Sequence, residues 1–578
     1  MFIFLLAAAK VSLCPAANTR PSSGANASTT PDPQLQEPLH ARGVPVPSRA
    51  QQEKIQQLPK IARVRLNALG IQRVTAAHRH SGGKSLLEPG ATPAPFGKEI
   101  VLSTDPAVST PLLTNTISSA LPQTAAISPS GYADNSTLNA FPPIRSQDSQ
   151  GSCAAFSTTY YQMTHMTALA RDWDARNGSD AFHFSPKWTY NMINGGSDNG
   201  SFIDENLSIM RDHGGARWSD FPYTGYSYDF LAWCMTPTVW SNAISFRMND
   251  FSTVPGLYDD TNLTTLKTIL DNGYVVTFDT YSPWTYQGWV KGSVGNNPDT
   301  TNDDAYVGQA ICKYVRALDW GHAMTIVGYN DNLWCDLNGN RRVDPGEKGA
   351  LKIANSWGPS WGNNGFAWFA YDALKTDSAV TGWNPSDKVY GFGYNDNPDN
   401  CIAYVITPRT NYTPRFLARF TINHAQRGQI IMSVGKDTPS VTNNPSSTWT
   451  AAGLNNSGGS FAFNGTSSAC DGTFFLDLSD LVTDPYLSKR YFVGMTSSSG
   501  TGQLKSYSLL DTLTGETITV SPSNTPSALN PSTGIVRAGT AWGWADMGSS
   551  ASGSSNCIAM STTAVTIRDS SEWRLVKA

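Results

Sequence analysis

The chain of 578 residues is long enough for several domains of roughly 100–200 residues each, and 40% of it is hydrophobic, enough for a large core. Charged residues make up only 15%, against roughly 25% in an average soluble protein, and the formal net charge is −4. That balance gives no electrostatic case for nucleic acid or an anionic membrane surface as partner.

The opening MFIFLLAAAKVSLCPAANT places an apolar run, Phe2 to Ala9, ahead of small residues. It reads as a signal peptide over 1–18, although no basic stretch precedes it and Lys10 interrupts it. The expected location is therefore secreted or cell-surface. No later apolar run approaches the roughly 20 residues of a membrane span, so no transmembrane segment is expected. Residues 19–48 are rich in Pro, Ser, Ala and Asn and read as unstructured. Over 50–69, Ile55, Leu58, Ala62, Leu66 and Leu69 recur at helical spacing, with Pro59 set to kink or split the helix and Gly70 to stop it. Residues 80–130 return to Gly, Pro, Ser and Thr. The stretch 19–115 thus reads as a leader or pro-segment, largely disordered and without a core of its own.

Aromatic patterning sets in afterwards, and 116–408 reads as one domain. Phe156, Tyr160, Met163, Thr167 and Ala170 follow Cys153 at helical spacing, which puts Cys153 at a helix N-terminus. Ser201-Phe202-Ile203-Asp204-Glu205 starts a second helix in the manner of a capping box, and Gly214 ends it. HAMTIVGY (322–329), ALKIANSW (350–357) and GFAWFAY (365–371) read as strands, so the class is α+β. Over 409–578, short alternating runs such as RFLARFTI and TFFLDL between Gly, Asn, Ser and Thr turns predict an all-β sandwich. Of the eight cysteines, six remain beside Cys14 and Cys153. An even count suits disulfides in an exported protein, with Cys470 and Cys557 expected to pair.

The segment SQDSQGSCAAF (146–156) poses the chemical question. A free cysteine is often a small core residue, but a helix N-terminus stabilises the thiolate, and a nearby imidazolium would do so further. Of the eight histidines, His322 stands at the start of the apolar strand in GHAMTIVGYND, and Asn355 lies between a strand and the Trp-Gly-rich loop of ALKIANSWGPSWGNNGF.

Together these three stretches resemble the papain-like cysteine peptidases, whose pattern is approximately Q-G-x-C-G-S-C-W-A-F, then H-A-(apolar)3-G-Y, then K-N-S-W-G-x-x-W-G-x-x-G. The resemblance covers roughly residues 135–408, in the family's order. It implies a two-lobed catalytic domain, a helical lobe plus a β-barrel-like lobe, followed here by the all-β sandwich. It implies Cys153 as nucleophile, His322 as general base and Asn355 as the residue orienting the imidazole. Gln147 would donate to the oxyanion, and Trp357 would shield the Asn–His bond. Asn199-Gly200 resembles the strip that pairs with substrate backbone, in competition with Asn194-Gly195-Gly196. No cofactor is implied for catalysis, and the partners implied are protein or peptide substrates. The sequence departs from the family at Gln150, where a cysteine is usual, at Asp148, where glycine is, and at Ala154, where tryptophan is. Asp148 is expected to raise the thiol pKa, and Ala154 to widen the cleft.

His322 and Asn355 stand 33 positions apart, more than the family needs. The extra text, DLNGNRRVDPGE (336–347), resembles a calcium loop with oxygen donors from Asp336, Asn338, Asn340, Asp344 and Glu347, and the backbone carbonyl of Arg342. Arg341, where glycine is usual, counts against it. Structural Ca2+ is therefore a candidate ligand, and a polysaccharide or cell-surface ligand is a candidate partner of the C-terminal unit. Two other readings use the same residues: a catalytically silent binding module, and a transamidase in which an amine replaces water.

Overall fold

The computed structural model describes residues 43–61, 63–80, 102–103, 129–226, 228–281, 287–289, 304–316, 320–375, 377–386, 388–389, 401–410, 412–438, 440, 445–481, 489–512, 515, 517–520, 535–547 and 557–558. All of these belong to the unit Glu37–Ala578. The expected signal peptide lies outside the described residues.

The centre of the domain after the leader is a long helical run that begins at Cys153 and ends at Arg171, where Asp172 turns left-handed at φ +56°. Its middle, Phe156–Met163, widens to π-helical turns. There the Thr158 hydroxyl bonds back to the Ala154 carbonyl at 2.7 Å, a local competitor of the helical ladder. The run is buried on every side as far as Leu169, so its polar groups need partners. Gln162 donates to the carbonyls of Val275 and Tyr404 and accepts from Thr277, which ties the helix to the sheet.

That sheet has ten strands. Trp320–Trp334 lies inside it, paired antiparallel with Val276–Tyr281 on one side and Lys348–Ala354 on the other. Phe366–Ala370 extends it beyond Lys348–Ala354, and Ala403–Pro408 with Met248–Val254 extends the opposite side. The three strands expected from the sequence are all present, each with shifted ends. The second helix spans Ile203–His213, and Gly214 ends it. Its N-cap is Phe202, not Ser201, with the Glu205 carboxylate accepting from the Phe202 N–H.

Two expectations for the leader need correction. Residues 43–61 and 63–80 are not disordered: they pack along the domain as a short strand (Val44–Pro45), a helix (Arg49–Gln56), an extended stretch paired at Ile61 with Thr253, and a second helix (Ala68–His80). Apolar residues such as Val44, Ile61 and Val74 are buried against the domain, which offsets the ordering cost that composition alone suggested they would not meet. Nor does Gly70 stop a helix. It lies in the first turn of the second one, capped by Asn67, where a β-carbon would collide with Asn272 at 2.3 Å.

The described C-terminal strands form one hydrogen-bonded network of eight strands around Lys489–Asp511, whose register breaks between Ser497 and Thr501. Its apolar face shares a core with the helices Pro186–Ile193, Ile203–His213 and Pro237–Ile244. Trp240 stands edge-on to Phe474 at 4.8 Å, and the buried Arg247 pairs with Asp477 at 2.9 Å. The two parts are thus joined by core packing as well as by the chain. Cys153, Cys234, Cys312, Cys401 and Cys470 are free thiols. Cys470, expected to pair with Cys557, is unbridged, because even parity in a cysteine count says nothing of proximity.

Candidate active site

The antiparallel register of Thr325 with Ala354 brings the start of one strand beside the end of its neighbour, and so sets His322 next to Asn355. His322 Nε2 lies 2.7 Å from Asn355 Oδ1, which also accepts the Ser356 N–H at 2.7 Å. An oxygen that already accepts a backbone N–H fixes the tautomer: Nε2 carries the imidazole proton and donates it. Nδ1 is then the lone-pair nitrogen, and it is buried without a hydrogen-bond partner among the described residues. The Trp357 ring lies over the imidazole, 4.6 Å between centroids.

Cys153 approaches from the helix side. The Ala323 N–H, on the residue after His322, donates to its Sγ at 3.3 Å. The thiol, the imidazole, Asn355 and Gln147 are all buried. Burial pushes the Cys153 thiol up to about 12 and the His322 imidazole down to about 4, against the helix terminus and the Ala323 N–H, which favour the thiolate. The carboxylate that bears on the thiol is Asp279, paired across the sheet with Ala323. Asp148 was expected in that role; it instead takes the left-handed conformation, φ +49°, that glycine fills in the family pattern.

Gln147 is held at both ends of its side chain. Its Nε2 donates to the Gln150 carbonyl at 2.8 Å, and its Oε1 accepts from Ser356 at 2.5 Å. The Tyr223 hydroxyl spans the loop, donating to the Gln147 carbonyl at 2.6 Å and lying 2.9 Å from Ser152 Oγ. Asp198 accepts the Gly151 N–H at 2.8 Å. Nothing in the sequence marked Tyr223 or Asp198. Asp279 did carry a signal, being the single charge in the apolar strand VVTFDTY.

The groove over the thiol is filled by the leader. Val44 and Pro45 pair antiparallel with Gly321 and Trp320, and the Gly43 carbonyl accepts the Ser201 N–H at 3.1 Å. A β-carbon on Gly200 would lie 2.5 Å from that same carbonyl, so the glycine lets the two backbones meet. Asn199 is exposed and bonds Ser197. The competing Asn194-Gly195-Gly196 packs on Gly458 and Gly459 of the C-terminal part.

The loop 336–347 forms the hairpin connection between the His322 strand and the strand before Asn355. Asp344 Oδ2 accepts from the amides of both Asn338 and Asn340, and the two Glu347 oxygens accept the Leu337 and Asp344 N–H groups. Arg341 takes the left-handed conformation at φ +61°. Among the described residues no group of three or more His, Cys, Asp or Glu side chains is arranged to hold a metal.

Residues 132–380 match the profile of the papain family cysteine proteases. Over those residues the chain carries a papain-family cysteine protease domain, with a fold of mixed helices and sheet. Similar solved structures include the Amb a 11 cysteine protease of ragweed pollen in its proform, 15% identical, covering 50% of this chain and 69% of that one at a TM-score of 0.31. Xylellain from Xylella fastidiosa is 18% identical, with 48% and 85% covered and a TM-score of 0.30. Bromelain from Ananas comosus, in complex with the E64 inhibitor, is 16% identical, with 48% and 98% covered at 0.31. No curated protein matches the chain.

Proposed function

We propose that the protein hydrolyses peptide bonds through Cys153, His322 and Asn355, and that the leader holds it inactive until removed. The observation that carries this reading is the His322–Asn355 bond, which leaves Nδ1 unpartnered beside the residue that donates to the Cys153 sulfur. Nδ1 takes the thiol proton, and the thiolate attacks the substrate carbonyl. The resulting oxyanion is received by the Cys153 backbone N–H and by Gln147 Nε2, whose second N–H is left over from the bond to Gln150. Preorganised donors of this kind are worth about 3–4 kcal/mol each. The imidazolium then protonates the leaving amine, and the neutral ring activates water to release the acyl group.

The substrate strip in this reading is Gly200 with the Ser201 N–H, because that N–H already meets an extended backbone at Gly43. The leader (19–115), the catalytic domain (116–408) and an accessory β-sandwich unit (409–578) act as pro-segment, enzyme and buttress, in an exported protein. No described helix is long and apolar enough to cross a membrane. A polysaccharide or cell-surface ligand for the C-terminal unit has no supporting feature among the described residues, whose apolar face is committed to the catalytic helices. Loop 336–347 is kept as a calcium loop on its spacing and left-handed Arg341, with Asp336, Asn338, Asn340, Asp344, Glu347 and the Arg342 carbonyl as ligands and structural support of the His322–Asn355 hairpin as its role.

The test uses the full chain, folded with its leader and then cut at a site-specific protease sequence placed within 104–128. An epoxide cysteine-peptidase inhibitor should label Cys153 stoichiometrically after the cut, and His322→Ala should abolish labelling and peptide hydrolysis together. Absence of labelling in the cut, folded protein would leave a silent binding module. Product that carries added amine in place of water would establish transamidation instead.

A further inference from the structure

Beside the groove is a cavity walled on the domain side by Phe202, Ile203, Asp204, Asp279, Ile402 and Tyr404. The leader closes it with Pro47, Gln52 and Ile55, leaving about 10 Å3, room for at most one water. Asp204 is 1% exposed, and both groups that meet its carboxylate come from the leader helix. Lys54 Nζ lies 2.7 Å from Oδ2, and Gln51 Nε2 donates to Oδ1 at 2.7 Å. No residue of the catalytic domain gives that carboxylate a hydrogen bond or an ion pair among the described residues. Asp279 faces the same cavity with part of its surface exposed and no cation beside it among the described residues.

A buried carboxylate stripped of its cation is costly. When the leader departs, Asp204 loses its ammonium and its amide at once, and the space held by Pro47, Gln52 and Ile55 is vacated. Asp279 sits across the strand pair from Ala323, so the pocket borders the reacting atoms. Burial and the mutual repulsion of the two carboxylates push Asp279 up to about 7, as expected where negative charge is gathered without a counter-ion. The Gln52 amide nitrogen, buried in the same contact, finds no partner among the described residues, so the leader fills this space without satisfying it fully.

We infer that the pocket of Asp204 and Asp279 is a specificity site for a cationic substrate side chain, lysine or arginine, close to the scissile bond, and that in the leader-bound form Lys54, itself more than half exposed, supplies the cation of Asp204 from outside the pocket. The inference rests on the peptidase reading above. A guanidinium or ammonium would replace the leader's contacts on Asp204, while a neutral side chain would leave a desolvated charge unpaired, and that asymmetry is what generates discrimination.

The experiment takes the leader-cleaved full chain, counts open sites by epoxide titration of Cys153, and measures kcat/KM per titrated site on a fluorogenic peptide library varied at each position flanking the cleaved bond. Arginine or lysine should exceed leucine at one position by at least tenfold, and Asp204→Asn should reduce that ratio at least tenfold. Asp279→Asn, on a different element, repeats the measurement if Asp204→Asn does not fold. Cleavage that favours leucine or phenylalanine at every position, or an arginine-to-leucine ratio unmoved in the folded variant, overturns the inference and leaves the peptidase reading intact. Titratable Cys153 with no cleavage of any peptide overturns both.

Discussion

Gly43 and Cys153 are in direct contact: a β-carbon built on Gly43 would stand 2.0 Å from the sulfur and 3.1 Å from Cys153 Cβ. The leader therefore crosses the Cys153 thiol at a residue with no side chain to spare. Gly43→Val should prevent the strand from seating and expose the thiol. Epoxide labelling of Cys153 in the uncut full chain is expected to rise at least tenfold over the parent. An unchanged rate would mean that the leader strand does not guard the site.

The same contact sets the pH behaviour of the covered site. With the thiol near 12 and the imidazole near 4, both are neutral between those values. Iodoacetamide consumes thiolate, so the uncut chain should alkylate slowly throughout pH 5 to 9, with a rate that climbs about tenfold per pH unit because the whole range lies below the value of the covered thiol. Cutting away the leader rehydrates both groups and should make alkylation at pH 7 fast. For stability, the imidazole titrates near 6.5 unfolded and near 4 folded. The unfolded chain holds the extra proton between these values, so this contribution grows as pH rises through the window. The thiol acts in the opposite sense: its contribution is lost as pH rises from about 8.5, its unfolded value, towards 12.

The parts of this site that lie in contiguous text were legible from the sequence. The helix after Cys153 and the strands around His322 and Asn355 each announce themselves by a local period, and their chemistry by residue type. What was hidden arises from chain crossings that no local pattern encodes. Tyr223, more than sixty residues beyond Cys153, ties the loop from Gln147 to Ser152. Gly43, in a Pro-rich stretch of low hydrophobicity, acquires order only from the groove it fills. Asp204 reads in sequence as a helix-cap acid, and only the packing of Lys54 gives it another meaning. Gly70 shows the converse error, since glycine's use there is a close approach to Asn272 and not a helix stop.

Tyr223→Phe tests the loop tie. Losing a hydroxyl that joins the Gln147 carbonyl and Ser152 should cost about 1–2 kcal/mol of stability. Because the loss also loosens Gln147, kcat on a peptide substrate should drop roughly tenfold with KM little changed, as expected for a donor that acts in the transition state. A change confined to melting temperature would make Tyr223 structural only.

Calcium should act through loop 336–347. A ligand present at about a hundred times its dissociation constant stabilises the form that binds it by about 2.7 kcal/mol. Millimolar Ca2+ is therefore expected to raise the melting temperature of the parent by several degrees, about 2–4 °C per kcal/mol in a domain of 150–250 residues. EDTA should reverse the shift, and Asp336→Asn and Glu347→Gln should each abolish it. Glu347→Gln also weakens the bonds to Leu337 and Asp344, so the comparison is the calcium-dependent shift within each variant. A parent whose melting is indifferent to calcium would leave the loop as a hairpin held by its own amides and carboxylates.

Asp279 is the residue at which stability and chemistry pull apart. An unfolded aspartate ionises near 3.9, but in the folded chain burial and the neighbouring Asp204 raise Asp279 to about 7. Between those values the folded chain holds the extra proton, so the residue's contribution to stability falls as pH rises from about 4 to 7 and stays at its lowest above. Asp279→Asn removes that dependence. The variant should gain melting temperature over the parent, by a margin that widens from pH 4.5 to pH 7.5 and then levels off. Glu205 is raised to about 7 by burial and titrates in the same direction, but it is common to both proteins and drops out of the difference to first order. The thiol should respond as well, because Asp279 is the carboxylate that raises it, and the variant's uncut chain should alkylate faster at pH 9. A margin that is constant with pH, or that narrows as pH rises, would show that Asp279 is not held protonated by the fold. The predicted gain is also the reason to expect the aspartate to be functional: a group that costs the fold stability at neutral pH beside a nucleophile belongs to the class retained for binding or catalysis.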